Sequence, residues 1–289
     1  MLQKEPIPHQ QPAPISWQFF TRTDDAWRAM YRDCEQATSS IEFEQYIVVA
    51  GGGVGNDFIE LFIRKLKEGV TVIILCDAIG SPTVETSAAI SEFKKTGGKI
   101  HYYHPIGLKH TRRFFYWFYR DHRKILVVDS KIAYTGGVCF DQKMSGWRDT
   151  HIRITGSVVA EVQNAFRQLW NKNNRRKRRL PITDIKTAPG DFHYFSSNPR
   201  FRRNKIYQAL LDTISQAKDY VYLTTPYFIP SRHFLEVLCE AAKRGVKVVL
   251  IVPGITEYWF VSRVAESYFG KALQAGITVL QYQQRHLQS

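Results

Sequence analysis

One stretch of this chain occurs twice, and this repeat constrains the fold more than any other feature. From Phe58 the sequence runs through an amphipathic segment to Gly69 and a β-branched run, and the same order recurs from Phe234 through Gly245, at an offset of 176 residues. A helix that ends at a glycine before a strand is common. A match over two helices and three strands is not, and it indicates duplication. We therefore predict a tandem pseudo-repeat with an incomplete second copy.

Short β-branched runs alternate with amphipathic stretches along most of the chain, which predicts an α/β fold. The predicted strands are Ile41–Val49, Val70–Cys76, Lys99–His104, Lys124–Asp129, Lys131–Thr135, Thr150–Thr155, Val221–Thr225 and Val246–Val252. The predicted helices are 24–38, Asp57–Lys67, 85–96, 158–172 and Phe234–Arg244. Strands that alternate with helices favour a mixed, largely parallel sheet flanked by helices.

Composition shifts predict the division of the chain into four segments. Residues 1–15 are rich in Pro and Gln and indicate a flexible lead-in, and residues 16–173 form the first repeat. A basic linker, residues 174–190, contains the five consecutive cations Arg175–Arg179 and is followed by the partial second repeat, residues 191–289. A charge run of this kind is also explained by solubility alone.

The chain carries 40 Lys and Arg against 26 Asp and Glu, a formal net charge of +14, which indicates phosphate-bearing partners. The apolar content of 44% excludes a disordered protein. No apolar run approaches the roughly 18 residues of a membrane-spanning helix. Four widely spaced cysteines predict reduced thiols of an intracellular protein rather than disulfides or a zinc site.

The residues with the clearest chemical potential are His122, Lys124 and Asp129. Alternate side chains of a strand share a face, so His122 and Lys124 are expected side by side. An imidazole is a suitable nucleophile for a phosphate diester, and an ammonium neutralises its oxygens. We expect Asp129 to fix the imidazole tautomer or to balance charge. This chemistry needs no metal and no cofactor.

The pattern His122-x-Lys124-x4-Asp129, followed by Gly136-Gly137, resembles the signature of the phospholipase D superfamily. The segment Trp147–His151 and the run Tyr227–Pro230 resemble its bacterial cardiolipin synthase branch, over roughly residues 40–289. The resemblance implies a phospholipase D-like fold and metal-independent phosphatidyl transfer through a phosphohistidine. Two phosphatidylglycerol molecules would give cardiolipin and glycerol. Gly136, Gly137 and Arg148 are then candidate substrate-binding residues.

Three positions depart from the pattern of that branch. Cys139 stands where a polar residue is common, and Asp121 precedes the histidine where asparagine is frequent. In the second repeat the corresponding motif falls on Gln288 or His286, and neither register contains a His-x-Lys pair. The second histidine would act as general acid, and its loss typically costs about 10²–10⁴-fold in rate. We therefore expect this chain alone to be weakly active or inactive.

Three explanations for the missing second His-x-Lys pair stay open. The chain is a truncated copy, a fragment of a longer enzyme, or one half of a homodimer in which two His122 residues share a site. Truncation or a fragment is favoured, because a dimer built on one motif would not need residues 190–289.

A loop with alternating charge and aromatic rings suggests a membrane contact beside the site. It contains Arg112, Arg113, Phe114, Phe115, Trp117 and Phe118. Rings flanked by arginines suit a bilayer interface, so we expect a peripheral protein on the cytoplasmic face of an anionic membrane. The same composition stacks single-stranded bases, which keeps a nuclease as an alternative. A non-catalytic remnant that only binds anionic lipid is the third hypothesis.

Overall fold

Ten strands and seven α-helices are present in the part of the chain that the computed structural model describes, residues 14–105, 120–174, 179–183, 192–197, 205–254 and 259–283. In chain order they are β1 (Ser16–Arg22), α1 (Thr23–Glu35), β2 (Ser40–Gln45), α2 (Gly53–Lys67), β3 (Thr71–Asp77), α3 (Ala88–Lys95), β4 (Lys99–Tyr103), β5 (Ile125–Val128), β6 (Ile132–Gly136), β7 (Arg148–Thr155), α4 (Val159–Asn173), α5 (Lys205–Gln216), β8 (Tyr220–Thr224), α6 (Arg232–Lys243), β9 (Lys247–Pro253), α7 (Trp259–Gln274) and β10 (Thr278–Tyr282).

The first sheet has seven strands in the order β1-β7-β6-β5-β2-β3-β4. Only β2-β3 and β3-β4 pair in parallel, and the other four pairings are antiparallel. The predicted mixed sheet is confirmed, but a largely parallel arrangement is wrong for this sheet. The reason is local, because β5 and β6 are joined through Asp129 and Ser130, both at positive φ, and so tight a turn forces an antiparallel hairpin.

The second sheet, β10-β9-β8, is entirely parallel and confirms the predicted pseudo-repeat. The unit β2-α2-β3-α3-β4 recurs as β8-α6-β9-α7-β10. Strands β3 and β9 span equivalent residues at the predicted offset. The pairing register is also conserved, because Lys99 lies opposite Ile73 and Thr278 lies opposite Val249.

Helices cover both faces of the first sheet, and its central strands are therefore apolar on both sides. On β3, Val72 and Ile74 belong to the core beneath α1 and α2, whereas Ile73 and Leu75 pack on the side of α4. The second sheet has its own core, built from α5, α6 and α7. The ends of β2, β3 and β5 are thereby held rigidly around the segment that carries His122.

No helix within the described ranges is both long and apolar enough to cross a bilayer. Several predictions fall outside those ranges, namely most of the lead-in, Arg175–Arg178 of the linker, His286 and Gln288. The boundaries proposed for the four segments stay predictions.

Candidate active site

His122 and Lys124 lie at the floor of an open cleft of about 1630 Å³, immediately before β5. The Lys124 Nζ is 3.1 Å from His122 Nδ1 and donates a 2.8 Å hydrogen bond to the His122 carbonyl oxygen. The ring of Tyr46 lies 4.6 Å from the imidazole and 5.2 Å from the ammonium. The structure therefore brings the predicted imidazole and ammonium into contact.

The environment keeps the imidazole of His122 neutral. Desolvation, followed by the positive charge of Lys124, lowers the pKa of His122 to about 4. Burial also lowers the pKa of Lys124, while Cys139, Asp149 and Asp121 act in the opposite direction. A neutral imidazole in an accessible cleft is a competent nucleophile near neutral pH.

Gly136 and Gly137 allow β7 to approach the site closely. A Cβ on Gly137 would lie 2.0 Å from Asp149 Oδ1, and a Cβ on Gly136 would lie 2.3 Å from the Thr150 carbonyl oxygen. Gly136 also has a φ of 147°, a conformation that favours glycine. Gly136 lines the cleft, whereas the described lining includes neither Gly137 nor Arg148. The glycine pair thus places a buried carboxylate near Lys124.

Asp149 is a residue to which sequence reasoning assigned no chemical role. It is buried, and burial raises the pKa of its carboxyl to about 7, although the Thr150 amide and the charges of Lys124 and Arg148 act against this rise. Its one signal in the sequence was the Trp147-Arg148-Asp149 segment. The charge of this carboxyl raises the pKa of Lys124 and so lowers the cost of burying that ammonium.

His151 follows on the same strand and is also buried. Desolvation and the charge of Lys124 lower the pKa of His151 to about 3, so this ring is neutral. Its Nδ1 has no hydrogen-bond partner among the described residues and would lie 2.7 Å from a Cβ on Gly136. We assign it no chemical step.

A network of buried charges fixes the segment that carries His122. Arg123 lies 2.6 Å from Glu44 and 3.5 Å from Asp121, and Arg120 lies 2.7 Å from Asp77. The Asp121 amide also donates to Asp77 at 2.9 Å. Burial raises the pKa of Glu44 well above its usual range. The side chains on both sides of His122 are therefore anchored to β2 and β3.

Asp129 does not support the imidazole, which corrects the sequence-based expectation. Its carboxylate accepts hydrogen bonds from Thr38, Ser39 and Ser40 at 2.8–3.0 Å. Burial is the largest single influence and raises the pKa of Asp129, but these hydrogen bonds together outweigh it and lower the pKa far below its usual range. Because β5 separates Lys124 from Asp129 by five residues at about 3.3 Å each, the two lie roughly 16 Å apart along the strand.

The structure does not place two other predicted groups in the cleft. Arg148 begins β7 and leaves its Nη1 buried without a partner among the described residues. The proposed membrane loop, Arg112, Arg113, Phe114, Phe115, Trp117 and Phe118, lies outside the described residues. Their roles stay predictions.

The cleft has a second imidazole on its described lining. His193 lies with its Nδ1 4.0 Å from Glu161 Oε1, and both residues face the same space as His122. Lys172 and Lys205 add exposed cations to the lining. The cleft therefore combines an accessible imidazole and a buried ammonium with exposed cations on its lining.

Comparison with known proteins agrees with the motifs. The family model described as "Cardiolipin synthase, PLD-like domain" matches residues 30–170 and 210–289, which confirms the predicted resemblance. A cardiolipin synthase of Oceanobacillus iheyensis is 30% identical over 277 residues, 91% of this chain and 56% of that protein. One of Listeria welshimeri is 31% identical over 278 residues, 92% of this chain and 57% of that protein. The chain spans little more than half the length of these relatives.

Among solved structures, phosphatidylserine synthase from Haemophilus influenzae matches with a TM-score of 0.64. The two chains are 13% identical, and the match covers 94% of this chain and 74% of that one. At this identity the likeness shows a shared fold.

Proposed function

The chain belongs to the family of cardiolipin synthase, PLD-like domains, and from this premise we propose that it transfers a phosphatidyl group between two phosphatidylglycerol molecules. The products are cardiolipin and glycerol. The observation that carries the proposal is the neutral imidazole of His122 in contact with the Lys124 ammonium, 3.1 Å away at the floor of a cationic cleft. The protein would act at the cytoplasmic surface of an anionic membrane.

In the first step a nitrogen of His122 attacks phosphorus and forms a P–N bond, and the bond from phosphorus to the headgroup glycerol breaks. An ammonium that donates to Nδ1 leaves the ring proton on Nε2. Attack through Nε2 therefore requires Lys124 to turn toward the phosphate oxygens while Nδ1 takes up the proton. The Lys124 charge then stabilises the transition state instead of the resting ring.

The leaving glycerol oxygen needs a proton, and the resulting glycerol departs. On the described lining of the cleft, His193 with Glu161 4.0 Å away is the group suited to donate it. In the second step the hydroxyl of another phosphatidylglycerol attacks phosphorus, gives its proton to the His193 that lost one in the first step, and displaces His122. A P–O bond forms, the P–N bond breaks, and cardiolipin leaves.

The experiment is turnover of phosphatidylglycerol vesicles by the purified chain, followed by separation of the lipids. The expected products, formed at the weak rate expected of this chain alone, are cardiolipin and glycerol in equal amounts, and both are lost in His122→Ala. Arg232→Ala, at an exposed position on α6, is the matched control and retains turnover. Degradation of single-stranded DNA without lipid turnover would instead favour a nuclease and contradict the proposal.

A further inference from the structure

Large aromatic side chains are exposed along the outer strand of the first sheet. Trp17 and Phe19 on β1 are 55% and 53% exposed, and Phe195 is 46% exposed. Outer strands are usually protected by charged or small residues, since bulky apolar rings there invite association. Exposed apolar groups that cluster, rather than lie singly, mark an interaction surface.

Trp17, Phe19 and Phe192 form one group of neighbouring rings, and Phe195 shares the lining of the cleft with Phe19. Trp17 lies 5.3 Å from Phe19 and 6.3 Å from Phe192, measured between ring centroids. Phe19, Phe195 and Ile206 also line the cleft that holds His122. We call Trp17, Phe19, Phe192 and Phe195 the aromatic rim. The rim therefore begins in bulk solvent and continues into the space where the chemistry takes place.

Charges beside the rim indicate what it contacts. The exposed Lys172 and Lys205 line the same cleft, and on its described lining five cations stand against two acidic residues, Asp121 and Glu161. Aromatic rings next to cations suit the headgroup region of an anionic bilayer. The rings pack among the glycerol groups and upper acyl chains, and the cations attract the lipid phosphates. A protein partner would have to match both an apolar surface and this excess of positive charge.

We propose that the aromatic rim inserts into the surface of an anionic bilayer and holds the mouth of the cleft against it, so that lipid enters without crossing water. This inference rests on the proposed function for its substrate but concerns other residues than the predicted loop around Trp117. It assigns the outer strand β1 a role in loading lipid. The affinity follows the apolar area that the rings bury in the interface.

Vesicle binding tests the rim without requiring turnover. Trp17→Ser/Phe19→Ser is compared with Tyr220→Ser/Tyr222→Ser, whose rings are 63% and 58% exposed on the outer strand β8 of the other sheet. On vesicles of phosphatidylglycerol and phosphatidylcholine, the rim variant is expected to bind roughly tenfold more weakly, because interfacial affinity scales with buried apolar area. The control is expected to bind as the unaltered chain does.

A label provides a second measurement that keeps the fold intact. The four native cysteines are all buried, so a cysteine introduced at Phe195 is selectively labelled with an environment-sensitive dye. The emission is expected to shift to the blue on anionic vesicles. The same dye at Tyr222→Cys is expected to keep its emission.

Three results would contradict insertion of the aromatic rim into the bilayer. They are unchanged vesicle binding of the rim variant, an equal loss of binding in the β8 control, and unchanged emission of the dye at position 195. A thiol at 195 that resists labelling before vesicles are added would mean that other residues of the chain cover the surface. Loss of a dimer with unchanged vesicle binding would assign the surface to a second copy.

The binding assay also separates the rim from the proposed chemistry. His122→Ala is expected to bind vesicles like the unaltered chain. Binding that depends on the rim without any cardiolipin would refute the proposed transferase activity alone. Cardiolipin formation with binding independent of the rim would refute the rim alone.

Discussion

Strands β2 and β8 occupy the same place in the two repeats but have opposite environments. Strand β2 lies between β3 and β5 and is almost wholly buried, whereas Tyr220 and Tyr222 on β8 are exposed. By the shared pairing register, Glu42 of β2 corresponds to Tyr222, and Glu44 corresponds to Thr224. The two repeats therefore share the same unit of strands and helices, but the first strand of that unit is buried in one repeat and exposed in the other.

The partners of the two carboxylates explain this difference. Glu44 pairs with Arg123, just before β5, and Glu42 pairs with Arg167 of α4. Both arginines come from the antiparallel extension that follows β4 in the first repeat. The βαβαβ unit is thus a scaffold, and the extension supplies both the reactive His122 and the cations that allow carboxylates on a buried strand.

The largest expected effect tests whether the carboxylates of β2 depend on their arginine partners. Glu44→Val leaves the largely buried Arg123 without its main partner, so the free energy of unfolding should fall by about 3 kcal/mol. Thr224→Val, at the equivalent position of β8, should change it by less than about 1 kcal/mol. Urea denaturation measures both. The double variant Glu44→Val/Arg123→Met should lose less than Glu44→Val, and equal losses at positions 44 and 224 would break the comparison.

Glycines of the two repeats should respond in opposite directions. Gly137→Ala places a methyl group against the Asp149 carboxylate and should destabilise the fold by about 3 kcal/mol. Gly270, inside α7, has open space around its Cβ position, so Gly270→Ala should stabilise by about 0.5–1 kcal/mol. Thermal unfolding checks both signs. A tolerated Gly137→Ala would show that β7 need not approach so closely.

Asp129 should matter for stability and not for turnover. Asp129→Ala removes the acceptor of the Thr38–Ser40 bonds and should cost about 2 kcal/mol, since hydrogen bonds to charged groups contribute about 1.5–3 kcal/mol. The exposed Asp219, before β8, is the matched control. Because the folded-state pKa of Asp129 is lowered, this contribution is present above pH 4 and is lost as the pH falls further. A selective loss of lipid turnover would restore its predicted role at the site.

The smallest effect concerns the titration of His122. Lys124→Met removes a positive charge that disfavours the imidazolium, so the pKa of His122 should rise from about 4 toward its usual range. Below its pKa the ring is protonated and cannot attack, so the acid limit of turnover should lie near pH 4 in the unaltered chain. NMR titration of the ring follows the shift. Lys247→Met on β9 is the control. An unchanged pKa of His122 in Lys124→Met would contradict the contact between His122 and Lys124.

Sequence reasoning recovered the repeated unit and the pairing of His122 with Lys124, because both follow from local periodicity. It did not find β1, whose rings at Trp17 and Phe19 face outward and give no core pattern. It also placed Asp129 in the site, because motif spacing does not reveal that a strand carries its two ends to opposite edges of the sheet.

Other parts of the site depend on contacts between residues far apart in the sequence. Asp149 influences the pKa of Lys124 because β7 pairs with β6 and Gly137 allows its close approach. The pairing of Glu44 with Arg123 joins residues 79 positions apart. Glu42 and Glu44 fall on a predicted strand, but nothing in local spacing names their partners.

The central claim is that His122 carries the phosphatidyl group during transfer, and its most direct test is the mass of the protein during turnover. Protein mixed with phosphatidylglycerol and denatured at neutral pH should contain a phosphatidyl adduct on the peptide that includes His122. His122→Gln should contain none. An adduct that persists in His122→Gln, or lipid turnover by the unaltered chain without any adduct, would contradict the account.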